Sequence, residues 1–456
     1  MKHDDILTRR DFVAATSRTV AGAVLLGQFP SAVRAGEQGN TQRLAIVGTG
    51  HRGTGMWGKS VRETYGDLVE FVGLCDINPG RAETGRRLIG ATCPTFGDFG
   101  EMLRKTRPET VIVTTVDGTH HQFIAQALES GCNVITEKPL TTDEHKLRVI
   151  LDAQKRARGK IIVAHNYRYT PTRARIKELL AAGRIGRITS VDFHWYLDVY
   201  HGADYFRRWH RLREHSGTLL NHKASHHFDL LNWWLASEPE EVHAYGALEF
   251  YGRNNSFRHT HCRPCPHKSA CKFYWDMTKD PRLMALYADN EKYDGYLRDG
   301  CVWKNDIDIF DKMAVQIRYA SNVQVSYSLT TYSPYEGYRI AFNGTAGRLD
   351  FWMHERQPWP MENRDEVQIT DNFGKAEFLK FERAEGDHYG GDPLMKERIF
   401  RTPDAPDPLH QAANVRDGAM AVLIGIAARR SIDEARPVRI TELTDLVPRA
   451  RSEETE

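Results

Sequence analysis

The chain has 456 residues, enough for two or three domains with sizeable hydrophobic cores. Its 62 basic and 60 acidic side chains leave a net charge of +2, which excludes the strongly basic surface expected of a nucleic-acid-binding protein. After the first few dozen residues no apolar run is long enough to span a bilayer, so no membrane insertion is predicted. The composition is that of an ordinary globular protein.

The first 35 residues resemble an export signal. The arginine pair Arg9-Arg10 precedes a mildly apolar stretch from Val20 to Leu26, and Val33-Arg34-Ala35 resembles a small-residue cleavage site. This order is typical of a twin-arginine (Tat) signal, although a short surface helix with an arginine pair is the alternative. The sequence therefore predicts export by the Tat machinery to the periplasm or another extracytoplasmic space, with residues 1–35 outside the fold.

A glycine-rich motif follows the first predicted strand. Arg43–Val47 is apolar, and the next six residues form G-x-G-x-x-G before a helical stretch. In this context the glycines allow a tight turn and let the backbone approach the pyrophosphate of a dinucleotide at a helix N-terminus. The predicted cofactor-binding residues of this loop are Gly48, Gly50, His51, Arg52 and Gly53.

The second predicted strand, Val69–Cys75, ends at Asp76. A carboxylate at this position hydrogen-bonds the ribose hydroxyls of NAD and repels the 2′-phosphate of NADP. Arg81 lies nearby and would soften that preference. NAD is therefore the predicted cofactor, with NADP as the alternative.

The first domain continues with alternating strands and helices. Two further apolar strands are predicted at Thr110–Thr115 and Asn133–Thr136, with a helix from Gln122 to Ser130 between them. This alternation predicts a doubly wound α/β domain over residues 40–163.

Several further motifs resemble those of the Gfo/Idh/MocA oxidoreductase family. They are Thr115-x4-His120, Glu137-Lys138-Pro139, Asn166-Tyr167-Arg168-Tyr169 and the segment from Gly217 to Asp229. The resemblance covers nearly all of the chain after the signal. It implies an N-terminal Rossmann domain and a substrate-binding and oligomerisation domain over residues 164–440, built on a large, mostly antiparallel sheet, so the fold class is α/β plus α+β. It also implies a homo-oligomer, and residues 441–456 are predicted to be a solvated tail.

The resemblance also implies roles for individual residues. Lys138 would lie between nicotinamide and substrate, where its ammonium group stabilises a developing alkoxide. Thr115, His120 and Glu137 would join Lys138 in binding the cofactor, and Arg168 and Tyr169 would bind the substrate.

A pair of histidines marks the expected catalytic helix. His226 matches the family's catalytic histidine and Asp229 the acid after it, whereas His222 replaces the usual aspartate. Residues four apart share a helix face, so both imidazoles are predicted to point into the site. Three hypotheses remain: His226 is the general base with His222 as its relay, both bind a metal such as Zn²⁺, or both are structural.

Aromatic side chains near these histidines suit a sugar ligand. Flat rings stack on the C–H faces of sugar rings, and Trp209 and Tyr338 are the candidates for substrate contact, together with His222 and His226. The alternative for each aromatic residue is simple burial in the core.

Four of the seven cysteines lie in an apparent insertion from about residue 252 to 305. Three of them form C-x2-C-x5-C, the spacing at which thiolates share one metal ion. A structural zinc is the favoured hypothesis, two disulfides are the alternative in an exported protein, and an iron–sulfur cluster with a histidine ligand is a third. The predicted ligands are Cys262, Cys265, Cys271 and Cys301, with His259, His261 and His267 as substitutes.

Together these features predict an NAD(P)-dependent oxidoreductase that removes hydride from a secondary alcohol of a sugar, glycoside or cyclic polyol. Because a periplasm has no useful pool of free nicotinamide dinucleotide, the exported enzyme is expected to hold its cofactor tightly. One alternative is a redox-neutral glycoside hydrolase that oxidises, eliminates, hydrates and reduces. The other is a non-catalytic sugar-binding protein.

Overall fold

The computed structural model describes residues 41–450. The predicted export signal, residues 1–35, and residues 451–456 of the predicted tail lie outside the described residues. The first half of the described chain is a six-stranded parallel sheet of order β3-β2-β1-β4-β5-β6. Its strands are β1 Gln42–Val47, β2 Val69–Cys75, β3 Thr95–Phe96, β4 Thr110–Val113, β5 Asn133–Thr136 and β6 Ile161–Val163.

Helices connect these strands, as the alternating pattern predicts. The glycine loop leads into a π-helical turn, Gly53–Lys59, that continues as an α-helix. The α-helices of this half are Ser60–Tyr65, Pro79–Ile89, Phe99–Thr106, His120–Glu129 and Glu144–Arg156. Strand β4 ends two residues before the predicted Thr115, because the Thr114 hydroxyl donates to the Gly48 carbonyl at 2.5 Å and ties the chain to the glycine loop.

The second half is built on a nine-stranded sheet of order β14-β13-β12-β11-β7-β10-β9-β8-β15. All its neighbouring strands are antiparallel except β7 and β10, which are parallel. Its strands are β7 Ile188–Asp198, β8 Pro239–Ala247, β9 Lys312–Tyr319, β10 Gln324–Ser333, β11 Glu336–Gly344, β12 Gly347–Arg356, β13 Arg364–Asp371, β14 Ala376–Glu382 and β15 Val438–Arg439. The predicted fold class is therefore confirmed.

One face of this large sheet forms the main core, and the other is open. Side chains alternate along β9 and β10, with one set buried under helices and the other exposed. The helices of this half are Pro171–Ala181, Val199–Arg207, Arg213–Ser216, Leu219–His222, Ala224–Leu235, Pro281–Leu286, Glu291–Asp294, Gly391–Phe400 and Val415–Glu434. Tyr245 and Trp352 are among the exposed aromatic residues outside the core. Oligomerisation of the domain stays a prediction.

The cysteine-rich segment lies between β8 and β9. It contains two short helices, Pro281–Leu286 and Glu291–Asp294, and a small core of its own, in which Leu286 and Tyr287 pack against Leu88 of the first domain. None of the helices within residues 41–450 is both long and apolar enough to cross a membrane.

Candidate active site

The glycine loop is closely packed against the neighbouring strand ends. Gly48 has a φ of +93°, a conformation that L side chains rarely adopt, and a Cβ at this position would lie 2.6 Å from the Thr114 carbonyl carbon. A Cβ on Gly53 would overlap the Gly48 carbonyl oxygen. Only glycine fits at both positions, so the N-terminus of the following helix is held at the carboxyl edge of the parallel sheet.

Asp76 lies beside this loop at the end of β2. Its buried carboxylate accepts hydrogen bonds from the Thr49 N–H at 2.9 Å and the Asn78 N–H at 2.9 Å. Arg81 forms an ion pair with Asp76 at 3.1 Å and with Asp294 at 2.7 Å. The positive charge of Arg81 is therefore shared between two carboxylates.

Arg52 and Glu137 connect the glycine loop to the E-K-P motif. The Arg52 guanidinium contacts Glu137 at 2.6 Å and Asp392 at 2.9 Å, and these carboxylates raise its pKa despite burial. Trp57 donates to the same Glu137 oxygen at 2.8 Å. The side chains of Arg52 and Glu137 thus fix the glycine loop against the E-K-P motif. The backbone N–H groups of the loop are the donors available to a phosphate.

His120 positions the chain on both sides of Lys138. Its two ring nitrogens lie 2.9 Å from the Pro139 carbonyl oxygen and 3.2 Å from the Thr115 carbonyl oxygen. The Thr115 hydroxyl accepts from Thr119 at 2.9 Å. His120 is buried and therefore supports the E-K-P segment from behind.

Lys138 reaches the second domain. Its ammonium group donates to the His222 carbonyl oxygen at 2.7 Å. Burial lowers the pKa of Lys138 to about 8, although Asp117 and Glu137 oppose that shift. An ammonium group carries three donors, so Lys138 keeps donors for a ligand beside His222.

His222 is oriented by a carboxylate of the first domain. Its Nδ1 lies 2.6 Å from Oδ2 of Asp117, and 12% of the His222 side chain remains exposed. Burial raises the pKa of Asp117, while burial and then Lys138 lower the pKa of His222 well below its usual value. A carboxylate that fixes one ring nitrogen leaves the other free to act as a base.

His226 has different neighbours. Its ring stacks on Tyr167 at 4.1 Å, and its Nδ1 is buried without a hydrogen bond in the described part of the chain. One helix ends at His222 and the next begins at Ala224, and Lys223 between them keeps a helical backbone conformation. Burial lowers the pKa of His226 well below its usual value. The orienting carboxylate therefore belongs to His222 and not to the histidine that the family motif predicts as the base.

An aromatic wall adjoins His222. Trp209 stacks on His210 at 3.6 Å and meets His222 edge-on at 5.6 Å. Tyr205 lies 5.3 Å from the His222 ring and hydrogen-bonds His201 at 3.0 Å. Trp209 thus lies beside His222, and its contact with a substrate stays a prediction.

Three other predicted substrate residues lie elsewhere. Arg168 is buried and binds Asp229 at 2.7 Å, so its guanidinium positions the histidine helix. Tyr169 packs in the hydrophobic cluster with Phe400 and Met395. Tyr338 is fully buried against Trp195, because alternation along β11 points its ring into the core. The structure does not place these three side chains beside His222, and substrate contact stays a prediction for them.

The four cysteines of the insertion line one small cavity, together with His259 and His261. All four thiols are free. Arg207 donates to the Cys262 sulfur at 3.1 Å, and the Trp303 N–H donates to the Cys301 sulfur at 3.4 Å. Within residues 41–450 no group of three or more His, Cys, Asp or Glu side chains has the arrangement needed to hold a metal ion. The metal hypotheses for Cys262, Cys265, Cys271 and Cys301 and for the histidine pair thus find no support.

Two site residues escape prediction from the sequence. Asp117 lies inside the T-x4-H motif, but nothing in that spacing indicates a partner in the second domain. Lys223 is buried and donates to the Tyr167 hydroxyl at 3.2 Å, next to both histidines. A lysine between two histidines in sequence is the only local signal for it.

The glycine loop, Asp76 and the lysine–histidine site together define a dinucleotide-dependent oxidoreductase. Residues 42–165 match the family model for the NAD-binding Rossmann fold of the Gfo/Idh/MocA oxidoreductases, and residues 177–440 match the family's C-terminal alpha/beta domain. The chain therefore belongs to the Gfo/Idh/MocA oxidoreductase family and is an NAD-binding oxidoreductase of that type.

Relatives of this chain include YteT of Bacillus subtilis (strain 168), which carries the name of an oxidoreductase. The two are 36% identical over 426 residues, which cover 88% of this chain and 98% of the relative. Inositol 2-dehydrogenase of Rubrobacter xylanophilus is 26% identical over 46% of this chain and 57% of its own length. A solved structure of levoglucosan dehydrogenase with NADH and levoglucosan has a TM-score of 0.63 at 20% identity, covers 88% of this chain and 99% of its own, and shows the shared fold.

The residues present fit a dinucleotide. The N-terminus of the helix after the glycine loop offers backbone donors for a diphosphate, and Asp76 lies where a ribose is bound in this fold. A Cβ added to Gly50 would lie 3.2 Å from the Tyr287 hydroxyl, so the loop and the Tyr287 side chain are close neighbours. Donors at the loop and an acid at the strand end are the set that NAD requires.

Proposed function

We propose that this protein oxidises a secondary alcohol of a sugar, glycoside or cyclic polyol with a tightly bound NAD. The observation that carries the proposal is the approach of Lys138, His222 and Asp117. Lys138 lies 2.7 Å from the His222 carbonyl oxygen, and Asp117 lies 2.6 Å from the His222 ring. A cation and an oriented base at one place are the two groups that oxidation of an alcohol needs.

In this reaction His222, Asp117 and Lys138 would each have a separate role. His222 accepts the hydroxyl proton at Nε2, while Asp117 holds Nδ1 and stabilises the charge that the imidazole gains. The Lys138 ammonium donates to the same substrate oxygen as negative charge develops there. A bound nicotinamide supplies the acceptor for the hydride. His226, predicted from the motif as the base, would bind substrate beside Tyr167.

NAD is the cofactor in this proposal, in preference to NADP. The carboxylate of Asp76 would repel a 2′-phosphate, and the charge of Arg81 is already shared with Asp76 and Asp294. Relatives named inositol 2-dehydrogenase and the neighbour named levoglucosan dehydrogenase support a cyclic polyol or sugar as the substrate class. The stacked Trp209 offers the flat apolar face that such a ligand requires.

The test uses purified protein without added nucleotide. A panel of cyclic polyols, free sugars and aryl glycosides is added, and the absorbance of reduced nicotinamide is followed together with release of the aryl group. We expect one equivalent of bound cofactor to be reduced, with further turnover only after a second carbonyl compound is supplied. A Lys138→Met variant is the matched control, because methionine keeps an unbranched side chain at this position and removes the positive charge. No reduction with any member of the panel would contradict the proposal.

The second candidate is the redox-neutral glycoside hydrolase. It needs acid–base groups beyond those of hydride transfer, and a second set adjoins His222. His201 pairs with Glu336 at 2.6 Å and with the Tyr205 hydroxyl at 3.0 Å, and Tyr205 contacts His222. Release of the aryl group over many turnovers without net reduction would identify the hydrolase and exclude the dehydrogenase.

Export by the Tat machinery is part of the same proposal. It rests on Arg9 and Arg10 and the apolar stretch after them. The test compares cell fractions of the full chain with those of a variant in which both arginines are lysine. Accumulation of the variant, but not of the parent, in the cytoplasm is the expected result, and equal distribution would contradict it.

A further inference from the structure

The cysteine-rich insertion contacts the dinucleotide cradle, which is the surface formed by the glycine loop at 48–53 and Asp76. Tyr287 follows the helix Pro281–Leu286, and its hydroxyl oxygen accepts the His51 N–H at 2.8 Å. His51 is part of the G-x-G-x-x-G loop, whose N–H groups face the diphosphate of a bound dinucleotide. A side chain from the second half of the chain thus accepts a hydrogen bond from one of the N–H groups of the phosphate site.

Two further contacts place the insertion along the ribose side of the cradle. Asn78, two residues after Asp76, donates to the Asn290 carbonyl oxygen at 2.9 Å. Arg81 pairs with Asp76 and also with Asp294 of the insertion at 2.7 Å. The insertion therefore follows the cradle from the glycine loop to the acid at the end of β2.

The fit is close at Gly80. A Cβ added there would overlap Oδ1 of Asn290 and lie 2.5 Å from the Tyr293 ring. The insertion thus packs directly on the start of the helix Pro79–Ile89, with no room for a larger side chain. Any displacement of Gly80's neighbours would move the cover away from the cradle.

Arginine side chains near the glycine loop, of which Arg282 and Arg298 belong to the insertion, add positive charge. Burial, followed by Arg282, Arg208 and Arg298, lowers the pKa of His51 to about 4. Arg208 and Arg298 both contact Asp204, at 2.8 Å each, so these three side chains together carry one positive charge. A cationic environment at the loop suits the two negative charges of a diphosphate.

The insertion is anchored at its other end. Arg207 donates to the Cys262 sulfur, and Arg263 forms an ion pair with Asp299 at 3.0 Å. Tyr287 and Leu286 pack in the small core of the insertion. The Tyr287 hydroxyl is thus held in place by packing on one side and by His51 on the other.

We propose that the segment from Tyr287 to Asp294 is the second half of the diphosphate site and a cover that slows dissociation of the dinucleotide. A phenolic hydroxyl accepts and donates at once, so Tyr287 keeps its own proton for a phosphate oxygen while it accepts the His51 N–H. The ligand is the ADP-ribose part of a dinucleotide, whatever substrate is oxidised. Such a cover would serve the tight cofactor binding that the proposed function includes.

The first test replaces Tyr287 by phenylalanine, which removes one hydroxyl and keeps the ring. Protein loaded with NADH is mixed with excess NAD, and the fluorescence of the departing NADH is followed. We expect dissociation to be roughly tenfold faster, corresponding to ~1.4 kcal/mol of lost binding, and calorimetry with ADP-ribose to show a matching loss of affinity. Tyr245→Phe is the control and leaves both values unchanged, because Tyr245 is exposed on strand β8 and lies outside the insertion and the glycine loop.

The sign of the change decides between two roles of Tyr287. If the hydroxyl merely occupies the phosphate position, Tyr287→Phe would bind ADP-ribose more tightly, and this result or an unchanged dissociation rate would overturn the proposal. Gly80→Ala is a second variant that changes none of the polar groups. It pushes Asn290 and Tyr293 outwards and should also speed dissociation. Both readouts measure cofactor and not substrate, so they stand even if sugar oxidation is not found.

Discussion

Asp117 and His222 come from different halves of the fold and meet at 2.6 Å, carboxylate oxygen to imidazole Nδ1. His222 replaces the aspartate of the family motif, and Asp117, in the turn after the first domain's fourth strand, supplies a carboxylate beside it. His222 is thereby oriented as a general base would be, while His226 stacks on Tyr167 and has no carboxylate partner among residues 41–450. In the proposed function the proton acceptor is therefore His222, four residues before the histidine that the motif predicts.

Replacement of His222 by asparagine should lower kcat by roughly 10²- to 10⁴-fold, the usual contribution of a general base. Asp117→Asn should lower kcat as well, and the double variant should lose little more than His222→Asn alone, because the two act as one unit. The measurement is single-turnover reduction of bound NAD with a substrate found in the panel. His243→Asn, on the open sheet face, is the control. A larger loss in His226→Asn than in His222→Asn would restore the motif's assignment.

The rate should depend on pH through Lys138. Burial lowers the pKa of Lys138 to about 8, so its ammonium form is lost as the pH rises through that value. Because the charged form stabilises the alkoxide, the rate should fall above about pH 8. On the acidic side the rate should persist below the usual range of histidine, since burial lowers the pKa of His222 and keeps its imidazole neutral. In Lys138→Arg the alkaline fall should disappear, and a fall at the same pH would assign it to another group.

Asp76→Asn should weaken the preference for NAD over NADP. The change removes the charge that repels a 2′-phosphate but keeps an oxygen for Thr49 and Asn78. We expect the ratio of the two dissociation constants to shift by roughly tenfold, or ~1.4 kcal/mol. Binding of both cofactors is measured by calorimetry. Asp152→Asn on an exposed helix serves as the comparison, and an equal ratio in both variants would show that Asp76 does not select the cofactor.

Arg168→Met should destabilise the fold. The guanidinium is buried and paired with Asp229, so its removal leaves an unpaired buried carboxylate, which costs roughly 3–5 kcal/mol. Arg175→Met breaks an exposed ion pair with Glu178 and should change the free energy of unfolding by less than ~1 kcal/mol. Urea unfolding of the two variants provides the comparison. Equal, small effects would mean that Arg168 is available to a ligand after all.

The sequence alone determined the local parts of this protein. The glycine loop at 48–53 and the E-K-P motif depend on backbone conformation and on neighbours in the chain, and both lie where the alternating strands and helices predict them. The fold class followed in the same way, from the strand pattern and from the resemblance to the family. Local pattern is sufficient here because hydrophobic periodicity and turn glycines act over a few residues.

Only the tertiary structure decided which side chains meet. Asp117 and His222 are 105 residues apart, Arg168 and Asp229 are 61 apart, and the Tyr287 hydroxyl contacts a loop 236 residues away. Arg168 belongs to a motif in the sequence, yet packing buries it against Asp229. The cysteine spacing likewise brought four thiols to one cavity but not to metal-binding geometry. Contacts at such separations depend on how sheets and helices pack, which no local pattern specifies.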